Sequence, residues 1–223
     1  MHSAQASGMV NPDEYGRRKV GDLIVPYITA WSGENRPPNR VVARKDGWGI
    51  GYADETMGDR DRDGILWVRN PSYPGHGKAE FGKVNSLRQR RAMRRLLCQV
   101  CGGPADQDDN GVLWVLKDHR GDWPGWPNGM GVTEPPICLT CLRIAVRACP
   151  ALRKGHAVIR ARQYPIVGIA GAHYAPGTPF PQPMAHVVLA FDHPDIPWTL
   201  AANLVRELGD CAIVDSSDVA GAD

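Results

Sequence analysis

Ser86-Leu-Arg-Gln-Arg-Arg-Ala-Met-Arg-Arg-Leu-Leu97, then Cys98-Gln-Val-Cys101, then after a long Trp- and Gly-rich excursion Cys138-Leu-Thr-Cys141: these three pieces decide how the chain folds. Two residues between paired cysteines let both sulfurs of a tight turn reach one ion at about 2.3 Å. Two such knuckles supply the four soft ligands of a tetrahedral zinc site. Cys98, Cys101, Cys138 and Cys141 are therefore the expected ligands. Four thiolates would leave no open position for water, so the expected Zn2+ is structural rather than catalytic.

The segment before the first knuckle has the period of an amphipathic helix. At 100° per residue, Arg88, Arg90, Arg91, Arg94 and Arg95 share one arc, and Ala92, Met93, Leu96 and Leu97 share the opposite one. Ser86 is the expected N-cap. The arginine arc predicts a row of planar guanidinium forks suited to phosphate oxygens. The alternative is a solvated face partly neutralised by Asp106, Asp108 and Asp109. After the second knuckle, Leu139–Cys149 reads as a helix with Leu142, Ala145, Val146 and Cys149 as its apolar stripe and Pro150 as its stop. Cys149 on that stripe reads as a small core residue rather than a ligand.

The formal net charge is only +2, too small for a protein that binds nucleic acid by overall charge, so any basic surface must be local. Twenty arginines against six lysines point first to a GC-rich genome and only second to phosphate contact. Six cysteines without a secretion signal indicate reduced thiols and a cytoplasmic location. No apolar run is long enough to span a membrane.

The N-terminal part, 17–85, is expected to be rich in β-structure. Leu23–Ala30 reads as a strand interrupted at Pro26, Val41–Tyr52 as a hairpin turning at Asp46-Gly47, and Ile65–Arg69 as a further strand. Asp59-Arg-Asp61-Arg-Asp63-Gly64 has the beginning of a calcium loop. Asn70 stands where the bidentate Glu belongs and no helices flank it, so it reads as a charged turn. In Asp122–Gly131 two Trp-Pro pairs force an irregular path, and covering a core is the expected role of Trp123 and Trp126.

Past 157 the pattern alternates strand and helix. Ala157–Arg162 and Ile166–Ala170 are expected to pair across Gln163–Pro165, and Ala185–Phe191 is a third strand. A helix is expected from Asp195 to Gly209, with Trp198, Ala201, Ala202, Val205 and Leu208 as its stripe, before a short strand at Cys211–Val214. His173, His186 and His193 are scattered and read as ordinary histidines. The fold class predicted is α+β: a flexible tail (1–16), a β-rich region (17–85), an Arg helix with a zinc module (86–156), a β-α-β region (157–215) and a second tail (216–223).

A knuckle, a hairpin region and a second knuckle opening a helix follow the order of a treble clef. With Asp118-His119 between the knuckles, the order Cys98-x-x-Cys101, Asp118-His119, Cys138-x-x-Cys141 resembles the HNH endonucleases. That resemblance implies His119 as general base on water and Asp118 as ligand to Mg2+ or Mn2+ beside the scissile phosphate. The chain departs from the family where an Asn should orient the His, which here is Gly131-Val132-Thr133-Glu134. RQRRAMRRLLCQVCGGPA and DWPGWPNGMGVTEPPICLTC also resemble segments of a group of actinobacterial zinc-binding proteins, a likeness that brings no reaction with it. Three functions follow as expectations: a non-catalytic zinc protein engaging DNA, RNA or an acidic protein through its Arg helix; an HNH-like endonuclease; and an interaction scaffold using the Trp-rich loop.

Overall fold

A computed structural model of the chain describes residues 17–20, 23–34, 40–176 and 179–215. The tails expected at 1–16 and 216–223, and most of the loop expected over Glu34–Arg40, lie outside the described residues.

The N-terminal part is built of short strands, as the scatter of Pro and Gly requires: β1 (Arg18–Val20), β2 (Leu23–Val25), β3 (Thr29–Trp31), β4 (Val41–Ala43), β5 (Ile50–Tyr52) and β6 (Ala79–Val84). Pro26 breaks the run between β2 and β3, as its missing N–H dictates. The hairpin β4–β5 forms as expected, with Gly47 at φ 75° in its turn. Ile65–Arg69 does not become a full strand. Instead Leu66 and Trp67 lie alongside Ala201, whose N–H donates to the Leu66 carbonyl (2.9 Å) while its carbonyl accepts from Val68 N–H (2.9 Å).

Then come α1 (Ser86–Arg95), β7 (Gln107–Asp108), β8 (Gly111–Lys117), β9 (Met130–Val132), α2 (Leu139–Ala148), β10 (His156–Gln163), β11 (Ile166–Ala175), β12 (Gln182–Ala190) and β13 (Thr199–Val214). The expected β-α-β order of the C-terminal part is corrected here. Only a single 3-10 turn, Ile196–Trp198, precedes β13, and the expected helix is instead the longest strand. Its first half pairs antiparallel with β11 and its second half with β10. So β10 and β11 do not pair with each other. They run end to end along β13, from Val158↔Val214 to His173↔Thr199, with register shifts between Ile166 and Gly168 and between Ala170 and Gly171. The strand wins over the helix because three neighbours, β9, β10 and β11, bind its backbone, and local propensity is a weak prior against that. Close approach is built in: a Cβ at Gly171 of β11 would lie 2.2 Å from the Leu200 carbonyl.

β8 is buried on both faces. Leu113 and Val115 point into the cluster that holds the four cysteines, while Val112, Trp114 and Leu116 point into a second cluster with Trp126, Val132, Ile159 and Leu208. Trp126 thus covers a core as expected, whereas Trp123 stays well exposed.

α1 is locked onto β13 by polar as well as apolar contacts. Met93 packs with Trp67, Ile169, Ala201 and Leu204. Gln89 is buried and imitates a strand: its amide accepts from Leu204 N–H (3.0 Å) and donates to the carbonyls of Leu204 (2.9 Å) and Thr133 (2.7 Å). Arg206 donates from Nε (3.0 Å) and Nη2 (2.6 Å) to the Met93 carbonyl in the last turns of the helix, where the macrodipole favours a cation. Replacing Gln89 with Leu strands these groups in a dry interface. At about 1–3 kcal/mol per unsatisfied buried group, the variant is expected to lose about 2–4 kcal/mol in urea unfolding; an unchanged midpoint would show these bonds to be idle.

Candidate metal centre and basic helix face

The first knuckle is shaped by the backbone around it. Gly102 sits at φ 75° directly under the Tyr27 ring, where any Cβ would collide at 2.8 Å. Its N–H donates to the Cys98 carbonyl (2.8 Å), and Cys98 N–H donates to the Gly103 carbonyl. Tyr27 N–H donates to the Val100 carbonyl (2.9 Å) and Gln99 N–H to the Pro136 carbonyl (2.9 Å), so the knuckle is pinned from both sides. Val100 N–H points at Cys98 Sγ (3.4 Å), a contact that favours a thiolate. The second knuckle opens α2: Cys138 is its N-cap and Cys141 lies in its first turn, where free N–H groups also favour negative sulfur.

The two knuckles converge. The Sγ atoms of Cys98, Cys101, Cys138 and Cys141 all lie within 4.8 Å of one another, with Cys101 and Cys138 3.9 Å apart. A tetrahedron with 2.3 Å metal–sulfur bonds needs about 3.8 Å between sulfurs, so the donor set fits one ion. All six cysteines are free thiols. Cys98 and Cys141 are wholly buried and packed among Val100, Leu113, Val115, Ile137, Leu142 and Val158. Hydrogen bonds among the neighbouring thiols, then burial, push the Cys98 and Cys141 thiols up, while the same neighbours hold Cys101 down. Four thiolates this close in an apolar setting need a cation among them. The four can hold a metal ion, and among the described residues they form the one group of three or more His, Cys, Asp or Glu side chains that can.

His173, His186 and His193 accordingly assemble no second centre among the described residues. Two acids of the calcium-like stretch, Asp59 and Asp61, are taken up by neighbouring groups of the chain. Asp59 takes two bonds from Arg69 (2.6 Å each) and one from Thr56 N–H (2.6 Å). Asp61 accepts from Asp63 N–H, Ile65 N–H and Trp67 Nε1.

Asp118 and His119 follow β8 at its C-terminal end. Asp118 is occupied by Arg120, which donates from its backbone N–H (3.1 Å) and Nε (3.0 Å). That contact holds the Asp118 carboxyl below its ordinary range. His119 Nδ1 lies 2.8 Å from Asp122 Oδ2. Among the described residues neither belongs to a group of three or more His, Cys, Asp or Glu side chains able to hold an ion.

α1 is capped one residue earlier than expected: Asn85 Oδ1 accepts from Arg88 N–H (3.2 Å). The larger correction concerns the arginine arc. Arg88 does not belong to the outer face. It is 3% exposed, and its fork grips Glu34 at both oxygens (2.5 and 2.9 Å) while donating to the carbonyls of Tyr27 and Thr29 and to Ser72 Oγ. Glu34 also accepts from Trp31 N–H, Tyr73 N–H and Asn85 Nδ2, so the pair is fully satisfied. Sequence reasoning missed Glu34 because nothing in its local pattern marks it as the counterion of a residue so distant in the chain.

Arg90 lies over the Trp67 ring, 4.3 Å from its centroid, a cation–π contact. Burial, with Arg94 nearby, brings its guanidinium down to about 10. Arg91, Arg94 and Arg95 are exposed, and with Leu87 and Arg90 they line one shallow depression. Among the described residues no carboxylate lies within ion-pair distance of these four arginines. Two of the three acids expected to neutralise them serve elsewhere: Asp106 and Asp108 flank the buried Arg160.

No helix among the described residues is long and apolar enough to cross a membrane. In comparison with known proteins, no family model, no curated protein and no solved structure matches this chain.

Proposed function

We propose that this is a non-catalytic zinc protein that binds a polyanion, nucleic acid in the first instance, through the outer face of α1. In this reading Cys98, Cys101, Cys138 and Cys141 hold one structural Zn2+, and knuckle, β7–β8 hairpin and α2 act as a treble clef that fixes the start of the module just after α1. The observation that carries the binding role is the row Arg90, Arg91, Arg94 and Arg95, which has no carboxylate partners among the described residues, on a helix locked to β13 at Gln89 and Arg206. A rigid guanidinium row keeps its side chains close together against mutual repulsion, and an external anion relieves that repulsion.

Phosphate contacts release counterions, so affinity for DNA or RNA is expected to fall steeply with salt, by a log–log slope of about −0.7 to −0.9 per contact. Arg91→Glu/Arg94→Glu is expected to reduce the slope by about 2 and to abolish binding at moderate salt. Binding unchanged by this double reversal would refute the role of α1. An acidic protein partner meeting the same face would show equal dependence on Arg91 and Arg94 without any nucleic-acid binding. The HNH-like alternative requires an ion at Asp118 and a free His119 nitrogen facing substrate. The tie of Asp118 to Arg120 takes up the carboxylate that such an ion would need. Plasmid incubated with Mg2+ or Mn2+ is expected to stay intact, and nicking lost in His119→Ala would reverse this reading.

A further inference from the structure

We propose that the bulge at Phe81-Gly82-Lys83 is a base-stacking element and that the polyanion engaged by α1 is single-stranded nucleic acid; this rests on the polyanion reading of that helix. In the pairing of β3 with β6, Thr29 stands opposite Val84 and the next residue, Ala30, opposite Glu80. Three residues of β6 therefore have no counterpart on β3, and a bulge of this kind re-aims the side chains it carries. β6 belongs to a two-stranded sheet, so its other edge is open among the described residues. A Cβ at Gly82 would meet nothing within 4 Å, so the bulge stands clear of the body. Phe81 is 54% exposed. Lys83 Nζ is bound by Glu80 (2.8 Å), so the bulge presents an aromatic face rather than a charge.

The bulge leads directly into the basic helix. Val84 and Leu87 are both exposed, and Leu87 lines the same depression as Arg90, Arg91, Arg94 and Arg95. Between Phe81 and Arg90 lie a few residues of strand and the first turns of α1, so their Cα atoms are at most about 20 Å apart by the rise of these elements. An exposed aromatic a few residues ahead of a guanidinium row suits an unpaired strand: the cations track the backbone and the ring stacks on a base. A duplex keeps its bases stacked on one another and offers the ring nothing. With a net charge of only +2, stacking supplies affinity that charge alone does not.

The test uses the full chain and labelled oligothymidine and oligouridine of about a dozen nucleotides, with a duplex of equal length, at low salt. Phe81→Ala is expected to weaken single-strand binding by about 5- to 100-fold, leaving duplex binding within about twofold, and Phe81→Trp is expected to restore it. Trp48→Ala, which removes an exposed indole from the β4–β5 turn, is expected to change nothing. Wild-type affinity in Phe81→Ala, equal losses on single strand and duplex, or a loss as large in Trp48→Ala would overturn the stacking role. In those cases, continued sensitivity to Arg91→Glu/Arg94→Glu would leave the polyanion reading standing; insensitivity to that reversal would remove both.

Discussion

Serine at Cys141 is expected to unfold the middle of the molecule, not merely to loosen it. Cys141 is wholly buried in the cluster that joins the first knuckle, β8, β10 and α2. Structural zinc in small modules contributes about 10–16 kcal/mol, whereas a whole domain has about 5–15 kcal/mol to lose. Three of the nine buried side chains of the cluster are the cysteines themselves, so loss of the metal strikes its centre. Cys141→Ser, or the wild-type chain treated with excess chelator, is therefore expected to lose its near-ultraviolet dichroism and its cooperative thermal transition. Restoring Zn2+ should rescue the chelated wild type and not the variant. Cys149→Ser, at a half-buried thiol outside the four, is the control and should keep the transition. A Cys141→Ser protein melting like the wild type would mean that the sulfurs contribute packing alone.

The second large effect is expected at Glu34. Removing its carboxylate leaves the Arg88 guanidinium buried and without a counterion, a loss of about 3–5 kcal/mol for broken buried pairs. Glu34→Ala should show this in urea unfolding. Glu34→Leu/Arg88→Met should recover part of it, because the charge goes too; the carbonyls of Tyr27 and Thr29, which Arg88 also serves, prevent full recovery. The same pair sets a pH dependence. Burial pushes the Glu34 carboxyl up, but the Arg88 fork and the N–H groups of Trp31 and Tyr73 outweigh it and hold the group below its ordinary range. A carboxyl depressed in the folded state binds protons more readily when unfolded. Its stabilisation is thus complete above the unfolded value of 4.5 and is lost as pH falls through the lower folded value. Glu34→Gln should flatten that part of the acid limb, and an unchanged limb would place the titration elsewhere.

What could be read from the sequence was what is local. Ligand spacing is a local property, so Cys98-x-x-Cys101 and Cys138-x-x-Cys141 named the four residues that meet in space. The hairpin of β4 and β5 and the stripes of α1 and α2 were likewise visible within a dozen residues of pattern. β13 was not. Trp198, Ala201, Ala202, Val205 and Leu208 fit a helical stripe as well as they fit a buried strand, and the choice between them belongs to β9, β10 and β11. With β13 misread, β10 and β11 had no partner to share and were paired with each other. The arginine arc failed for a related reason. Periodicity put Arg88 with Arg91 because it cannot know that Glu34 waits on the inner side. Nor did it show Trp67 under Arg90, which turns a surface cation into a half-buried one. The local reading gave five outward arginines; the folded chain keeps Arg91, Arg94 and Arg95 outside, tilts Arg90 onto an indole and takes Arg88 in.

Metal content with X-ray absorption on the purified chain tests the central claim most directly. The account predicts one zinc per chain, surrounded by four sulfurs at about 2.3 Å and lost when Cys98, Cys101, Cys138 or Cys141 is replaced. Protein folded without stoichiometric metal, or zinc bound through nitrogen and oxygen, would contradict it.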